Sequence, residues 1–249
     1  MFPGSEWRAA PAGPTGRPRL YLTFDDGPIP EETPWVLAQL AAYQAPATFF
    51  CVGDNLVRHP EIARAALAAG HRLGNHTQHH RSAWNTPRAT YLAGVAECAA
   101  LLRGEEDFRV GGYEGRKVEG YEGKGVGESD ENKVLLPHPP TLTPSYPHSP
   151  IPSYPHTLKP LFRPPYGRLT WPVLRALRPH YRVVMWSLLT RDYDLSLAPE
   201  RALRLTLAAT RPGDILVLHD SRKASRSLRF LLPRLLAHYS ARGFEFGLV

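Results

Sequence analysis

Apolar residues recur along the chain in two rhythms: short dense runs, and longer stretches with a spacing of three to four. Leu20-Tyr21-Leu22-Thr23-Phe24 reads as a buried strand that stops at the turn signal Asp25-Asp26-Gly27-Pro28, which leaves adjacent carboxylates at a strand's C-terminal end. Glu31 to Tyr43 carries Val36, Leu37 and Leu40 at helical spacing, and 47–52 is a second dense run. Residues 60–69 and 87–103 predict two further helices, the first with Pro60 in its opening turn, and His71 to Asn75 leads into His76. Beyond 158 the alternation resumes, with strands predicted at 161–163, 181–186, 215–218 and 244–249 and helices at 171–177, 199–210 and 228–239. Strand-helix units of this length argue for an α/β fold around a parallel sheet, closed or nearly closed into a barrel, whose strand C-termini carry the chemistry.

The stretch of about 105–158 breaks this rhythm. It is Gly/Glu/Lys-rich, then Pro/Ser/Tyr/His-rich, without a sustained period, and reads as a disordered insertion. Gly-Tyr-Glu-Gly occurs at 112–115 and 120–123, and Pro-Ser-Tyr-Pro at 144–147 and 152–155. Codons for the first tetrapeptide, read as their reverse complement one base out of frame, can encode the second. An inverted DNA repeat inserted in frame accounts for this; two unrelated low-complexity tracts are the alternative. The organisation expected is a flexible Pro/Gly/Arg-rich arm at 1–18 and one domain at 19–249 carrying the insertion.

Composition adds limits. A chain of 249 residues with 43% hydrophobic content can bury a core without staples. Its formal charge is +7, but 105–158 holds nine acidic against five basic residues, so the remainder carries 25 basic against 14 acidic, or +11. Such an excess favours an anionic partner. Cys51 and Cys98 supply neither a disulfide framework nor a two-cysteine zinc motif, and read as small buried hydrophobes. No apolar segment of signal-peptide type follows Met1 and no run of 18 apolar residues occurs. The expectation is a cytoplasmic monomer with no membrane span, or an extracytoplasmic one if translation starts upstream.

His76 and His80 are spaced i, i+4, which lets both imidazoles reach one ion if the backbone turns helically there. Neighbouring strand ends would bring them to the Asp25-Asp26 turn. Two nitrogens and one carboxylate leave coordination open, as a catalytic zinc requires. His79 between them is read as a solvated histidine pointing away. Consecutive carboxylates project differently, so one can bind metal while the other takes a proton; an ordinary Asp-Asp-Gly-Pro turn is the alternative.

Thr23-Phe24-Asp25-Asp26-Gly27-Pro28, His76-Thr77-Gln78-His79-His80, Arg163-Pro164-Pro165-Tyr166-Gly167, the run from Trp186 to Tyr193 and Leu216-Val217-Leu218-His219-Asp220 stand in the order of five known motifs. In this the chain resembles the polysaccharide deacetylases, the NodB-homology or carbohydrate esterase family 4 group. The resemblance implies a distorted (β/α) barrel of about seven parallel strands and removal of N- or O-acetyl groups from sugar polymers. It implies a divalent metal, zinc first, with cobalt or nickel as substitutes. Asp25 then matches the general base, and Asp26, His76 and His80 the metal ligands. His219 matches the general acid, Asp192 its charge partner, and Arg163 the residue that positions the base. Tyr166 would offer its backbone N–H to the oxyanion.

Pro165, Tyr193 and Val217 are expected to line the substrate site. Trp84 is a further candidate for stacking on sugar, and Trp171 and Trp186 are read as core or wall. The family often has an acidic residue where Leu189 stands, a Trp at Tyr193 and a Leu at Val217, departures that bear on substrate more than on reaction. The expected substrate is an N-acetylated amino sugar in a glycan, of peptidoglycan or chitin-like type, with no specific nucleic acid. The alternatives are a deformylase or amidohydrolase on a small or lipid-linked substrate, and a non-catalytic glycan- or nucleic-acid-binding protein.

Overall fold

The computed structural model describes residues 2–104 and 159–249. The disorder and the inverted repeat expected for 105–158 lie outside the described residues. In chain order the elements are β1 (Arg19–Asp25), α1 (Thr33–Ala42), β2 (Thr48–Cys51), α2 (Gly53–Arg58), α3 (Pro60–Ala68), β3 (Arg72–Asn75) and α4 (Arg88–Arg103). After 158 come β4 (Leu161–Phe162), a 3₁₀ turn (Pro165–Gly167), α5 (Trp171–Leu177), β5 (Arg182–Val183), β6 (Leu188–Leu189), α6 (Pro199–Ala209), β7 (Ile215–His219), α7 (Ser225–Ala241) and β8 (Glu245–Phe246).

Seven strands form one parallel sheet in the order β5-β4-β3-β2-β1-β7-β6, and β8 pairs with the first residues of β1. The two ends of this sheet, β5 and β6, are consecutive in the chain. The extended run 182–189 therefore leaves one edge and arrives at the other, and the sheet curls into an incomplete barrel. This is the expected barrel of about seven parallel strands.

The strand expected at 181–186 is shorter than its apolar run suggests. Past Val183 the chain turns inward: Val184 N–H donates to Phe162 O, Met185 N–H to Glu6 O, and Ser187 N–H to Ile215 O. Residues 6–12 lie along this region, with Glu6 N–H donating to Val183 O, Arg182 forking onto the Glu6 carboxylate, and Ala9 N–H donating to Gly213 O. Of 244–249, Glu245–Phe246 pairs as strand.

Period-two alternation in β1 divides its side chains between two cores. Leu20, Leu22 and Phe24 join Leu216 and Leu218 of β7 against Val36 and Leu40 of α1 and a leucine stripe of α7. Full burial of each such side chain is worth about 1.5–3 kcal/mol. The alternate residues, with Tyr21 and Ile215, face the barrel interior, where Phe50, Leu161, Val184 and Val249 fill its base. Thr23 and Asp25 share that face, so the apolar floor gives way to polar groups at the C-terminal end. Helix α4 ends at Gly104, whose φ of 71° is the left-handed stop that glycine adopts without a Cβ clash.

Candidate active site

Asp25 is the last residue of β1 and is paired with Phe50 on one side and His219 on the other. Asp26 follows with φ 85°, a left-handed step that turns its carboxylate away from that of Asp25. The step is held from both sides: Asn55 Nδ2 donates to Asp26 O at 2.8 Å, and Gly27 N–H donates to Asp220 Oδ1 at 3.1 Å. Asp220 Oδ2 accepts from Thr33 Oγ at 2.5 Å. Burial pushes the Asp220 carboxyl up to about 8, outweighing the hydrogen bonds from Thr33 and Gly27. A Cβ on Gly27 would sit 2.0 Å from Asp220 Oδ2, so only glycine lets the two approach. The sequence shows Asp220 only as the end of a motif; its anchoring role is visible through contacts 187 and 193 residues away.

Beyond β3 the histidines converge without a helix. Thr77 (φ 67°) and His80 (φ 53°) adopt left-handed conformations, and this loop, not the helical turn assumed from i, i+4 spacing, brings the rings within 5.1 Å. Gly53 N–H and Asp54 N–H, opening α2, donate to Thr77 O and Gln78 O and hold the loop. His76 Nδ1–H donates to Arg163 O at 2.8 Å, leaving Nε2 as a lone pair. Burial above all lowers the His76 pKa to about 4, so the ring is neutral.

His80 Nε2 lies 3.1 Å and His76 Nε2 3.8 Å from Asp26 Oδ1, and one donor atom from each of the three residues falls within 4.8 Å of the others. Burial would raise the Asp26 pKa, but the hydrogen bond from His80 and the nearby His76 and His219 hold it far below the usual carboxylate range. A neutral imidazole with a free lone pair beside an ionised carboxylate fits a divalent cation. His79 points away as expected, yet it is not simply solvated: Nδ1 lies 3.0 Å from Asp54 Oδ2 and Nε2 3.9 Å from Glu97.

Arg163, just past β4, is wholly buried. Nη1 donates to Asp25 Oδ1 and to Thr23 Oγ, each at 2.7 Å, Nη2 to Met185 O at 2.8 Å, and Nε to Val184 O at 3.2 Å. Its guanidinium lies 4.1 Å over the Phe50 ring. On the other side of β1, His219 Nδ1–H donates to Asp192 Oδ1 at 2.8 Å, and Asp192 Oδ2 accepts the His219 backbone N–H at 2.7 Å. Burial alone would lower the His219 pKa, but the hydrogen bond and charge of Asp192, with Asp25 and Asp26, lift it to about 9.

Tyr166 has φ 59° within the 3₁₀ turn, and its N–H donates to nothing among the described residues. Its ring is 60% exposed and lies 4.7 Å from that of His80. Pro165 and Val217 are buried, and the half-buried Tyr193 meets His219 edge-on at 5.1 Å. Trp84 is exposed, with its indole N–H on Leu169 O. Trp171, read as core or wall, is 53% exposed and touches Phe2, while Trp186 packs at Gly167. No helix among the described residues is long and apolar enough to cross a membrane.

The polysaccharide deacetylase family model matches residues 12–104. A chitooligosaccharide deacetylase of a Bradyrhizobium species is 30% identical over 247 residues, 93% of this chain and 89% of that protein. The chain belongs to the polysaccharide deacetylase family. A second chitooligosaccharide deacetylase, from Sinorhizobium fredii, is 48% identical over 73 residues; that match spans 29% of this chain and about a third, 34%, of the relative's length. Among solved structures, the Bc1960 peptidoglycan N-acetylglucosamine deacetylase superposes with a TM-score of 0.68 at 22% identity, covering 96% of this chain and 89% of that one. At that identity the likeness speaks for the polysaccharide deacetylase fold.

Proposed function

We propose that this protein hydrolyses the N-acetyl groups of amino sugars in a glycan of peptidoglycan or chitin-like type, with a divalent metal, zinc by preference, held by Asp26, His76 and His80. The observation that carries this reading is the pair of buried dyads flanking the three donors: Arg163–Asp25 on one side and Asp192–His219 on the other.

Bound at the three donors, such a metal would act as a Lewis acid toward the acetyl carbonyl and the attacking water. The protein groups divide the proton traffic. Arg163 holds Asp25 through Oδ1, and Oδ2 is left to take a proton from the water. His219, protonated at neutral pH, donates from Nε2 to the departing amine while Asp192 fixes Nδ1–H. The Tyr166 N–H is the donor for the developing oxyanion, and losing one such donor typically costs about 3 kcal/mol of transition-state stabilisation. Val217 and Pro165 bound the acetyl methyl, and Tyr193 meets the sugar.

The test is acetate release from a panel of acetylated glycans with and without added zinc. Zinc-dependent release from an N-acetylated glycan is expected. Absence of acetate from every glycan at every metal condition overturns the reading.

A further inference from the structure

We infer that the site is built for an anionic glycan, in which sugars on both sides of the deacetylated one carry carboxylates, received by Arg168 and Lys223. This rests on the deacetylase reading above and names its substrate class.

Two matching arrangements carry the inference. On the β3/β4 side the Tyr166 ring lies 4.7 Å from His80, and the Arg168 guanidinium sits 5.7 Å from the Tyr166 ring centre and 4.8 Å from that of Trp84. On the β7 side the Tyr193 ring lies 5.1 Å from His219, and Lys223 Nζ sits 5.8 Å from the Tyr193 ring. His80 and His219 thus each meet a tyrosine ring, and each tyrosine bears an exposed cation. The sheet order places β3 and β4 on one side of β1 and β7 on the other, so the two cations stand on opposite flanks of the Asp25-Asp26 turn.

Apart from these ring contacts, neither cation has a partner in the described part of the fold. Among the described residues neither pairs with a carboxylate nor donates a hydrogen bond, whereas Arg182, Arg191 and Arg222 each have an acidic partner. Their surroundings suit a sugar carrying a carboxylate. Trp84 is anchored through its indole N–H to Leu169 O at 3.0 Å and is 60% exposed, a fixed apolar face for a pyranose ring. The Arg168 fork matches a planar carboxylate with two parallel donors, and Lys223 supplies a compact charge. A neutral chain would lie against both cations without a counter-charge. The +11 of the remainder of the chain adds long-range attraction for a polyanion.

The test uses the full chain and one glycan strand in two forms: with its carboxylates free, and with the same carboxylates converted to neutral methyl amides. Binding is measured by calorimetry on metal-free protein, and kcat/KM from acetate release with zinc. The free-acid strand is expected to bind and turn over about tenfold better than the amide at low salt, since each exposed ion pair contributes about threefold. The preference should shrink in 0.5 M salt, where screening shortens to about 4 Å. Arg168→Gln and Lys223→Gln should each reduce it about threefold. Arg234→Gln, which removes a comparable cation over Phe230 on α7, should leave it as it was.

Equal binding and equal kcat/KM on the two strands, or a preference that neither glutamine variant lowers, overturns the inference. The two readings fail separately. Preferential binding of the free acid without acetate from either strand removes the deacetylase reading and keeps the anionic site. Equal turnover of both strands does the reverse, and neither binding nor acetate removes both.

Discussion

The Nη1 of Arg163 lies 2.7 Å from Oδ1 of Asp25; the arginine side chain is wholly buried and that of the aspartate is 5% exposed. Breaking a buried pair by removing one partner typically costs about 3–5 kcal/mol, because the remaining charge is stranded. Arg163→Met is therefore expected to lower unfolding free energy by about that much, read from urea denaturation, and to abolish turnover. A loss under 1 kcal/mol would mean that Asp25 finds another partner or takes up a proton.

Base and metal ligands should separate by mutation. Asp25→Asn removes a proton acceptor without touching the three donors, so turnover should fall about 10²–10⁴-fold while one zinc per chain remains bound. His76→Ala should lose zinc, seen by calorimetry and elemental analysis. Equal zinc content and equal activity in the two variants would sink the division of roles.

His219 makes the metal-free protein's stability pH-dependent. Its folded pKa, about 9, lies above the ordinary value of 6.5, so the stabilisation is fully present below 6.5 and is lost as pH rises through 9. The loss should be roughly 3 kcal/mol between those limits. It should disappear in His219→Gln, as measured by thermal melts of chelator-treated protein from pH 6 to 10. An identical alkaline slope in the variant would assign the effect elsewhere.

Asp220 behaves in the same direction. Its carboxyl, pushed up to about 8, opposes folding as pH rises through that value, because the unfolded carboxyl ionises near 3.8. Asp220→Asn keeps an acceptor for Gly27 N–H and removes this penalty, so its margin over the parent should already be present at pH 6 and be larger at pH 9. Asp220→Ala strands the buried Gly27 N–H and should lie about 1–3 kcal/mol below Asp220→Asn at either pH. Melting curves of the two variants at both pH values decide it.

The elements that were legible in the sequence were those with a strong period or a dense apolar run: β1, β2, β4, β7, and the helices α1, α3, α4, α5, α6 and α7. Helix α2 was not, because Gly53–Arg58 is six residues long and shows no apolar stripe. Strand β6 was not either, because Leu188–Leu189 is two residues long and lies just past the predicted run 181–186. The meeting of Asp26, His76 and His80 was expected from neighbouring strand ends, but the backbone geometry that produces it was not. Asp26, Thr77, His80 and Tyr166 are non-glycine residues at positive φ, a conformation their own side chains disfavour and that contacts from distant elements hold in place. Likewise Asp54 and Glu97, which bracket His79, come from two different helices.

The family match stops at Gly104, and that position divides the chemistry unevenly. Asp25, Asp26, His76 and His80 precede it; Arg163, Asp192 and His219 follow it. A copy of this gene cut short there would still be recognised as kin and would still encode Asp26, His76 and His80, the trio proposed to hold a cation. It would nonetheless be mute, lacking both the tether for its base and the donor for its leaving group.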